Sequence, residues 1–279
     1  MEMREAFEKN ILTRLDDRTE AAKERYLNRL ERVKRLRTID GKETWNAFDG
    51  DLLDYFDAGS HWINLRGIGG YDVDKLKKEM SRRLELIHAL GKKMLMLDLM
   101  GQGRACVQLG ADKVFTTGLM KFNSRYSNVE QVIGDALSDE KTAELYNKII
   151  DAERNENYSL QVILFRPVGG LSISSMNLYV FRTLYKRLQE LYDLLDDGGL
   201  IFISTIGSDL DTELLEAMLR ATGCEDILLT SPKRGKLGIR KSASKHSRLP
   251  SELEAARATP GLIEQLMKMD DEDRMIPND

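Results

Sequence analysis

The sequence predicts an α/β protein in which a parallel sheet is closed by an antiparallel C-terminal hairpin and preceded by a helical N-terminal extension. From residue 93 onward, short apolar runs alternate with amphipathic segments, which is typical of parallel strands joined by right-handed crossovers. The runs 226–230 and 236–240 are separated by only five residues, too few for a crossover helix, so we expect a hairpin. Residues 1–38 contain neither glycine nor proline and repeat apolar side chains at helical spacing.

Composition and charge exclude several classes of protein. Of the 279 residues, 42% are hydrophobic and 32% charged, a balance that supports a substantial core. No apolar run is long enough to span a bilayer, and the charged start lacks the apolar stretch of a signal peptide. Since Cys106 and Cys224 are the only cysteines, we expect reduced thiols in a cytoplasmic protein. The net charge of −4 gives no global field for nucleic acid, which we do not expect as a partner.

Residues 1–92 are the predicted extension and loop. The spacing of apolar residues over 1–38 predicts one long amphipathic helix, which either caps the core, forms a homodimer arm or covers an active site. Residues 38–70 hold both tryptophans and a glycine-rich stretch, and this predicts a connector or a substrate-facing loop. The pattern over 72–90 predicts a helix that ends at Gly91.

Residues 93–243 are the predicted α/β domain. The run 93–99 is almost entirely apolar, as expected of a strand buried on both faces. Residues 244–279 predict a polar connector, a short helix near 260–269 and an acidic tail. Within the domain, strands are predicted at 93–99, 113–117, 131–133, 160–165 and 200–205 before the hairpin, and helices at 104–109, 139–154, 175–195 and 211–222.

A glycine-containing turn follows the first of these strands. The pattern Gly101-x-Gly103 between a strand and a helix is typical of a nucleotide or adenosyl site. Its glycines let the backbone approach a ligand beyond the carboxyl ends of the strands. The Gly-Lys-Ser/Thr ending of a P-loop is absent from this turn, which excludes the common P-loop nucleotide triphosphatases.

Over 93–243, just over half of the chain, the order of elements and the closing hairpin resemble the class I S-adenosylmethionine-dependent methyltransferases, which have a Rossmann-like fold. The segment 194–203 also closely resembles the family's turn into its fifth strand. The resemblance implies S-adenosylmethionine as the cofactor and a methyl group as the group transferred. In methyl transfer the protein mainly positions the acceptor and excludes water.

The resemblance also implies roles for particular residues. Asp98, Gly101 and Gly103 occupy the turn around the methionine part of the cofactor, and Asp135 with Ala136 occupies the position that contacts adenine. Arg166 follows the fourth strand, where the methyl group is delivered, and is the candidate catalytic residue. Its guanidinium would clamp a carboxylate or phosphate of the acceptor.

The sequence departs from the family at three places. Ala105 stands where the family's last glycine is usual, so the glycine register is imperfect. The acid that grips the ribose hydroxyls after the second strand is missing, and Thr117 is the nearest substitute, with a weaker hydrogen-bonding group. The Asn/Asp-Pro-Pro-aromatic signature of amino-methylating nucleic-acid enzymes is absent, which argues against that substrate class.

Three functions therefore stay open. The first is an S-adenosylmethionine-dependent methyltransferase acting on a small molecule or a protein or peptide side chain. The second is a non-catalytic relative that binds or scaffolds, and the third is another enzyme that uses an adenosyl ligand or a dinucleotide. The histidines His61, His88 and His246 are scattered, so they indicate neither a general base nor a metal site.

Overall fold

The computed structural model describes residues 2–36, 38–39, 42–43, 51–56, 65–99, 101–119, 121–165, 177–204, 209–229, 231 and 235–275. For residues 2–12, 33–36, 38–39, 42–43 and 209–211 only the course of the backbone is described.

Helices and strands alternate along most of the described chain. The helices are Glu2–Leu36 (α1), Leu52–Phe56 (α2), Val73–Ala89 (α3), Arg104–Gln108 (α4), Asp139–Asn155 (α5), Leu178–Leu194 (α6), Asp209–Ala221 (α7), Glu252–Ala258 (α8) and Leu262–Met275 (α9). The strands are Thr38–Ile39 (β1), Lys42–Glu43 (β2), Lys93–Leu99 (β3), Lys113–Gly118 (β4), Val129–Ile133 (β5), Tyr158–Phe165 (β6), Leu200–Ser204 (β7), Leu228–Leu229 (β8) and Lys236–Arg240 (β9).

Seven strands form one sheet in the order β5-β4-β3-β6-β7-β9-β8. The strands from β5 to β7 in this order pair in parallel, whereas β9 runs antiparallel to both β7 and β8. This arrangement confirms the predicted fold class, a Rossmann-like, methyltransferase-like sheet closed by an antiparallel hairpin. The chain builds outward from β3 to β5 and then returns to add β6 on the other side of β3. A topological switch point therefore lies between β3 and β6.

Two apolar layers cover the faces of the sheet. On one face, α2, α3 and α4 pack against side chains such as Met96, Val114 and Phe202. On the other face, α1 and the helices from α5 to α9 pack against side chains such as Leu97 and Phe115. Because β3 lies between both layers, six of its seven residues are buried, as its apolar sequence predicts.

The N-terminal extension folds back onto the sheet domain. As expected, a single helix, α1, occupies most of residues 1–38. Its apolar residues Leu15, Ala22, Tyr26 and Leu30 are buried within the chain, against α6 and neighbouring segments. In the part of α1 whose side chains are described, the apolar face is thus occupied by the chain's own core.

Part of the C-terminal acidic segment is helical and buried. Two helices, α8 and α9, follow the connector, and two of the acids, Asp270 and Asp273, lie one helical turn apart on the buried face of α9. Arg25 pairs with both carboxylates, and Arg29 pairs with that of Asp273. Isolated buried carboxylates would be very costly, and these arginines explain how the two acids are accommodated in the interior.

Three basic residues of the hairpin and of the connector after it have acidic partners. Arg240 donates to Glu79 at 2.9 Å, Lys245 lies 2.9 Å from Asp226, and Arg248 lies 2.8 Å from Glu254. None of these partners belongs to the acidic segment of α9. Among the helices described, none combines the length and apolar character that crossing a membrane requires.

Candidate functional site

The carboxyl ends of β3, β4, β5 and β6 meet at one edge of the sheet. Leu99, the last residue of β3, is in register with Thr117 near the end of β4 and with Phe165 at the end of β6. The switch point between β3 and β6 opens at the same edge. In open parallel sheets this is the place where ligands bind, so most of the predicted site residues converge on it.

Asp98 organises the turn that follows β3. Its carboxylate is completely buried, and its Oδ2 accepts a hydrogen bond of 2.8 Å from the backbone N–H of Gly103. A Cβ atom added to Gly101 would overlap the same carboxylate, so that position requires glycine. Gly103 has a φ of +80° and is the N-cap residue immediately before α4. The structure therefore brings Asp98, Gly101 and Gly103 together, as the sequence predicts.

A residue outside the motif also holds Asp98. The Tyr55 hydroxyl, on α2, lies 2.8 and 2.9 Å from the two carboxylate oxygens. Burial raises the pKa of Asp98 to about 7, although the hydrogen bond from Gly103 lowers it. Sequence reasoning missed Tyr55 because α2 has only five residues, too few to show a helical period.

The polar residues of β4 lie beside Asp98. Thr116 is directly opposite Asp98 in the strand pair, and its Oγ1 atom is buried without a hydrogen-bond partner among the residues described. Thr117, the candidate substitute for the ribose acid, is almost completely buried. Together the two threonines place hydroxyl groups, and no carboxylate, at the end of β4.

A narrow cavity opens between this edge and the helices α5 and α6. Its volume is about 20 Å³, room for one or two water molecules. An adenine ring would therefore enter only if surrounding side chains moved. The cavity includes Thr117, Asp135 and Ala136 from the predicted site, and is otherwise lined by Leu99, Val132, Gly134, Lys141, Thr142, Leu145, Tyr146, Phe165, Arg187 and Leu191.

Asp135 is held by α1 and by its own loop. One carboxylate oxygen accepts from the Tyr26 hydroxyl at 3.1 Å, and the other accepts from the backbone N–H of Leu137 at 3.0 Å. Burial and the nearby carboxylate raise the pKa of Tyr26 well above its usual range, so the hydroxyl stays protonated and donates. The sequence predicts Tyr26 as an apolar position of α1, but not that its hydroxyl reaches this site.

Other candidate residues lie elsewhere or outside the described residues. Arg166 falls outside them, as do His61 and both tryptophans. His88 lies near Asp112 and His246 near Asp226, both away from the carboxyl edge. In the part of the chain that the structure describes, no group of His, Cys, Asp and Glu side chains could hold a metal ion.

The chemistry of these groups suits an adenosyl ligand. The glycine turn provides a backbone cradle, Asp98 an anionic group, Asp135 an acceptor for an amino group, and the cavity an apolar wall. At the methionine end, the Asp98 carboxylate is buried and already accepts from Tyr55 and Gly103. At the adenine end, the fit needs the cavity to widen.

No protein-family model and no curated protein matches the chain. MycE, a methyltransferase from the mycinamycin biosynthetic pathway solved with Mg and SAH, is 11% identical over 71% of this chain and 55% of MycE, with a TM-score of 0.39. MycE solved with mycinamycin VI also bound is 13% identical over 60% of this chain and 48% of MycE, with a TM-score of 0.31. A protein named as a ribosomal RNA methyltransferase from Plasmodium falciparum is 14% identical over 59% of this chain and 96% of its own chain, with a TM-score of 0.35.

The chain spans about half the length of MycE. At these identities and TM-scores, the likeness assigns no function to this chain.

Proposed function

We propose that the chain is an S-adenosylmethionine-dependent methyltransferase whose catalytic domain is formed by residues 93–243. The observation that carries the proposal is the turn after β3, at the switch point of the sheet. There the buried Asp98 carboxylate binds the Gly103 N–H, and Gly101 leaves no room for a side chain. Residues 1–92 and 244–279 would cover this domain.

In this proposal, each predicted residue has a role. Asp98 faces the ammonium group of the cofactor, and Gly101 and Gly103 let the backbone approach its methionine part. Thr117 lies at the ribose position, and Asp135 with Ala136 lies at the adenine position. When bound, the cofactor supplies an electrophilic methyl group, and the chain's residues position the acceptor and exclude water.

The acceptor in this proposal is a small molecule or a protein or peptide side chain. Arg166, just beyond β6, would clamp an anionic group of that acceptor. Nucleic acid is not part of the proposal, since the described basic residues of the hairpin region, such as Arg240 and Lys245, have local acidic partners. We also propose a cytoplasmic location, because Cys106 and Cys224 are both free thiols. A homodimer through α1 would have to use its exposed residues.

Calorimetric titration with S-adenosylmethionine and S-adenosylhomocysteine tests the proposal. We expect binding at micromolar strength, lost in Gly101→Ala because the new Cβ displaces the Asp98 carboxylate. Gly223→Ala is the control for backbone strain alone, since its φ of +78° disfavours a side chain although nothing lies within 4 Å of the added Cβ, and it follows α7, outside the predicted site. Circular dichroism shows whether each variant is folded. Asp135→Asn, which keeps the size of the side chain, provides a second test and should weaken binding about tenfold.

A non-catalytic binding protein is the second candidate, and a specific observation favours it. The hydroxyls of Tyr26 and Tyr55 already bond the two carboxylates that would meet the cofactor, and the cavity at the adenine end is narrow. Absence of heat at millimolar ligand, from folded wild-type protein, would refute the methyltransferase proposal and support this candidate. Binding without methyl transfer to any acceptor would instead favour another enzyme that uses an adenosyl ligand.

A further inference from the structure

A second pocket lies next to the glycine turn, on the side of β4. Its volume is about 190 Å³, compared with about 20 Å³ for the cavity between the carboxyl edge and the helices α5 and α6. It shares no residue with the cavity under α5 and α6. We call it the arginine pocket, and it is formed by Gln102, Arg104, Asn123, Ser124, Arg125 and Tyr126.

The arginine pocket is positively charged although the chain as a whole is negative. Arg104 and Arg125 both line it, and none of its six lining residues is an acid. The Arg104 guanidinium lies 3.6 Å from the Asp51 carboxylate, which offsets part of the charge. Arg125 makes no hydrogen bond or ion pair with any residue that the structure describes. One guanidinium therefore retains its full capacity to bind an anion.

The loop that carries Arg125 has a defined conformation. The Ser124 hydroxyl donates to the carbonyl oxygen of Tyr126 and accepts from its N–H, both at 3.1 Å. The Phe122 N–H donates to the Gln131 side chain on β5 at 3.1 Å, which ties the loop to the sheet. Little ordering of this loop is then needed when a ligand binds, which favours affinity.

The end of β4 agrees with an anionic ligand. An acid at this position would hydrogen-bond ribose hydroxyls and repel a phosphate, whereas an arginine nearby accommodates one. Here the strand ends in Thr116, Thr117 and Gly118, and the loop that follows supplies Arg125. The missing ribose acid and the arginine pocket are thus two independent observations that point to the same ligand chemistry.

We propose that the arginine pocket binds a phosphate group of a ligand at the carboxyl edge. The guanidinium groups of Arg104 and Arg125 line one small volume, and guanidinium groups form strong charge-assisted hydrogen bonds to phosphate oxygens. The inference rests on the proposed function, because it assigns the chemistry of a ligand group at that site. The phosphate is carried either by the acceptor or by the adenosine ligand.

Calorimetry with two phosphate compounds tests the inference and separates these sources. Ribose 5-phosphate and adenosine 2′,5′-bisphosphate are titrated into the full-length protein at low salt in a phosphate-free buffer, with and without saturating S-adenosylhomocysteine. Binding of ribose 5-phosphate to the saturated protein assigns the phosphate to the acceptor. Binding of the adenosine bisphosphate in competition with S-adenosylhomocysteine assigns it to the adenosine ligand.

Variants show whether the arginine pocket is the site. Arg125→Gln removes charge-assisted hydrogen bonds and should weaken the phosphate compounds about 10- to 100-fold. The matched control Arg154→Gln removes the same charge from an exposed position at the end of α5 and should bind like the wild type. Arg125→Lys keeps the charge but not the fork of donors, so its affinity should fall between the two.

Several results would overturn the inference. Equal affinity of the wild type and Arg125→Gln would show that the phosphate binds elsewhere, and equal affinity of Arg125→Lys would show that charge alone attracts it. If S-adenosylhomocysteine binds but neither phosphate compound does, the inference fails and the proposed function stands. If the phosphate compounds bind through Arg125 and S-adenosylhomocysteine does not bind at all, the proposed function fails instead.

Discussion

The buried Asp98 carboxyl should make folding stability depend on pH, and Asp98→Asn should remove that dependence. The substitution keeps the size of the side chain and an oxygen that can accept from Tyr55 or Gly103. Burial raises the pKa of Asp98 to about 7 in the folded chain, from 3.8 for the unperturbed group. The folded state therefore favours the protonated carboxyl. Its contribution to stability is complete below about pH 4 and is lost as the pH rises to about 7.

The size of the effect follows from the shift. A rise from 3.8 to about 7 is roughly three pKa units, which corresponds to about 4 kcal/mol of unfolding free energy. Between pH 4 and 7, the wild type should lose about 1.4 kcal/mol per pH unit relative to Asp98→Asn. Above about pH 8 the difference should be constant, since the carboxyl is ionised in both the folded and the unfolded chain.

Urea unfolding followed by circular dichroism, at constant ionic strength and from pH 4.5 to 8.5, measures this difference. Glu153→Gln is a useful comparison, because burial also raises the pKa of Glu153 to about 7, at a half-buried position on α5. The two effects should add in the double variant, since the residues share no partner. A constant difference between the wild type and Asp98→Asn across this range would refute the reasoning. It would mean that the hydrogen bonds from Tyr55 and Gly103 keep Asp98 ionised.

Three further substitutions test the packing around the site, each by urea unfolding. Tyr55→Phe should cost about 1–3 kcal/mol, because the buried carboxyl loses a donor, and a change near zero would show that the hydroxyl is not needed. Asp273→Asn should cost about 3–5 kcal/mol by removing the carboxylate charge that faces the buried Arg29, whereas the exposed Asp271→Asn should cost less than about 1 kcal/mol; equal costs would contradict the buried pairing. Gly238→Ala should cost about 2 kcal/mol or more because its Cβ would overlap the Ile68 side chain, and a neutral result would contradict this close packing.

The sheet was predictable from sequence because its signals are local. The buried strand β3, the glycine turn and the short hairpin connection each lie within a few consecutive residues. The predicted strand ends moved by only a few residues. For example, β6 begins at residue 158 instead of 160.

The parts that could not be predicted depend on distant residues. Tyr26 reaches Asp135 across 109 positions of sequence, and Tyr55 reaches Asp98 across 43. The sequence around the acids of α9 does not show that they are buried, because the arginines of α1 that pair with them are distant in sequence. A signal was present, since Arg18, Arg25 and Arg29 recur at spacings of seven and four on α1, but only the tertiary fold shows which charges they face.

The pKa of Asp98 also gives the proposed cofactor site a property of its own. At pH 7 a group with a pKa of about 7 is half protonated, and an ammonium group that shares its carboxylate with the Tyr55 hydroxyl would lower that pKa. Binding of S-adenosylhomocysteine at pH 7 should then release about half a proton per site. Calorimetry in two buffers of different protonation enthalpy measures this release, which Asp98→Asn should abolish. If the ligand binds with the same heat in both buffers, the ammonium group does not meet Asp98, and the role that the proposal gives this residue is wrong.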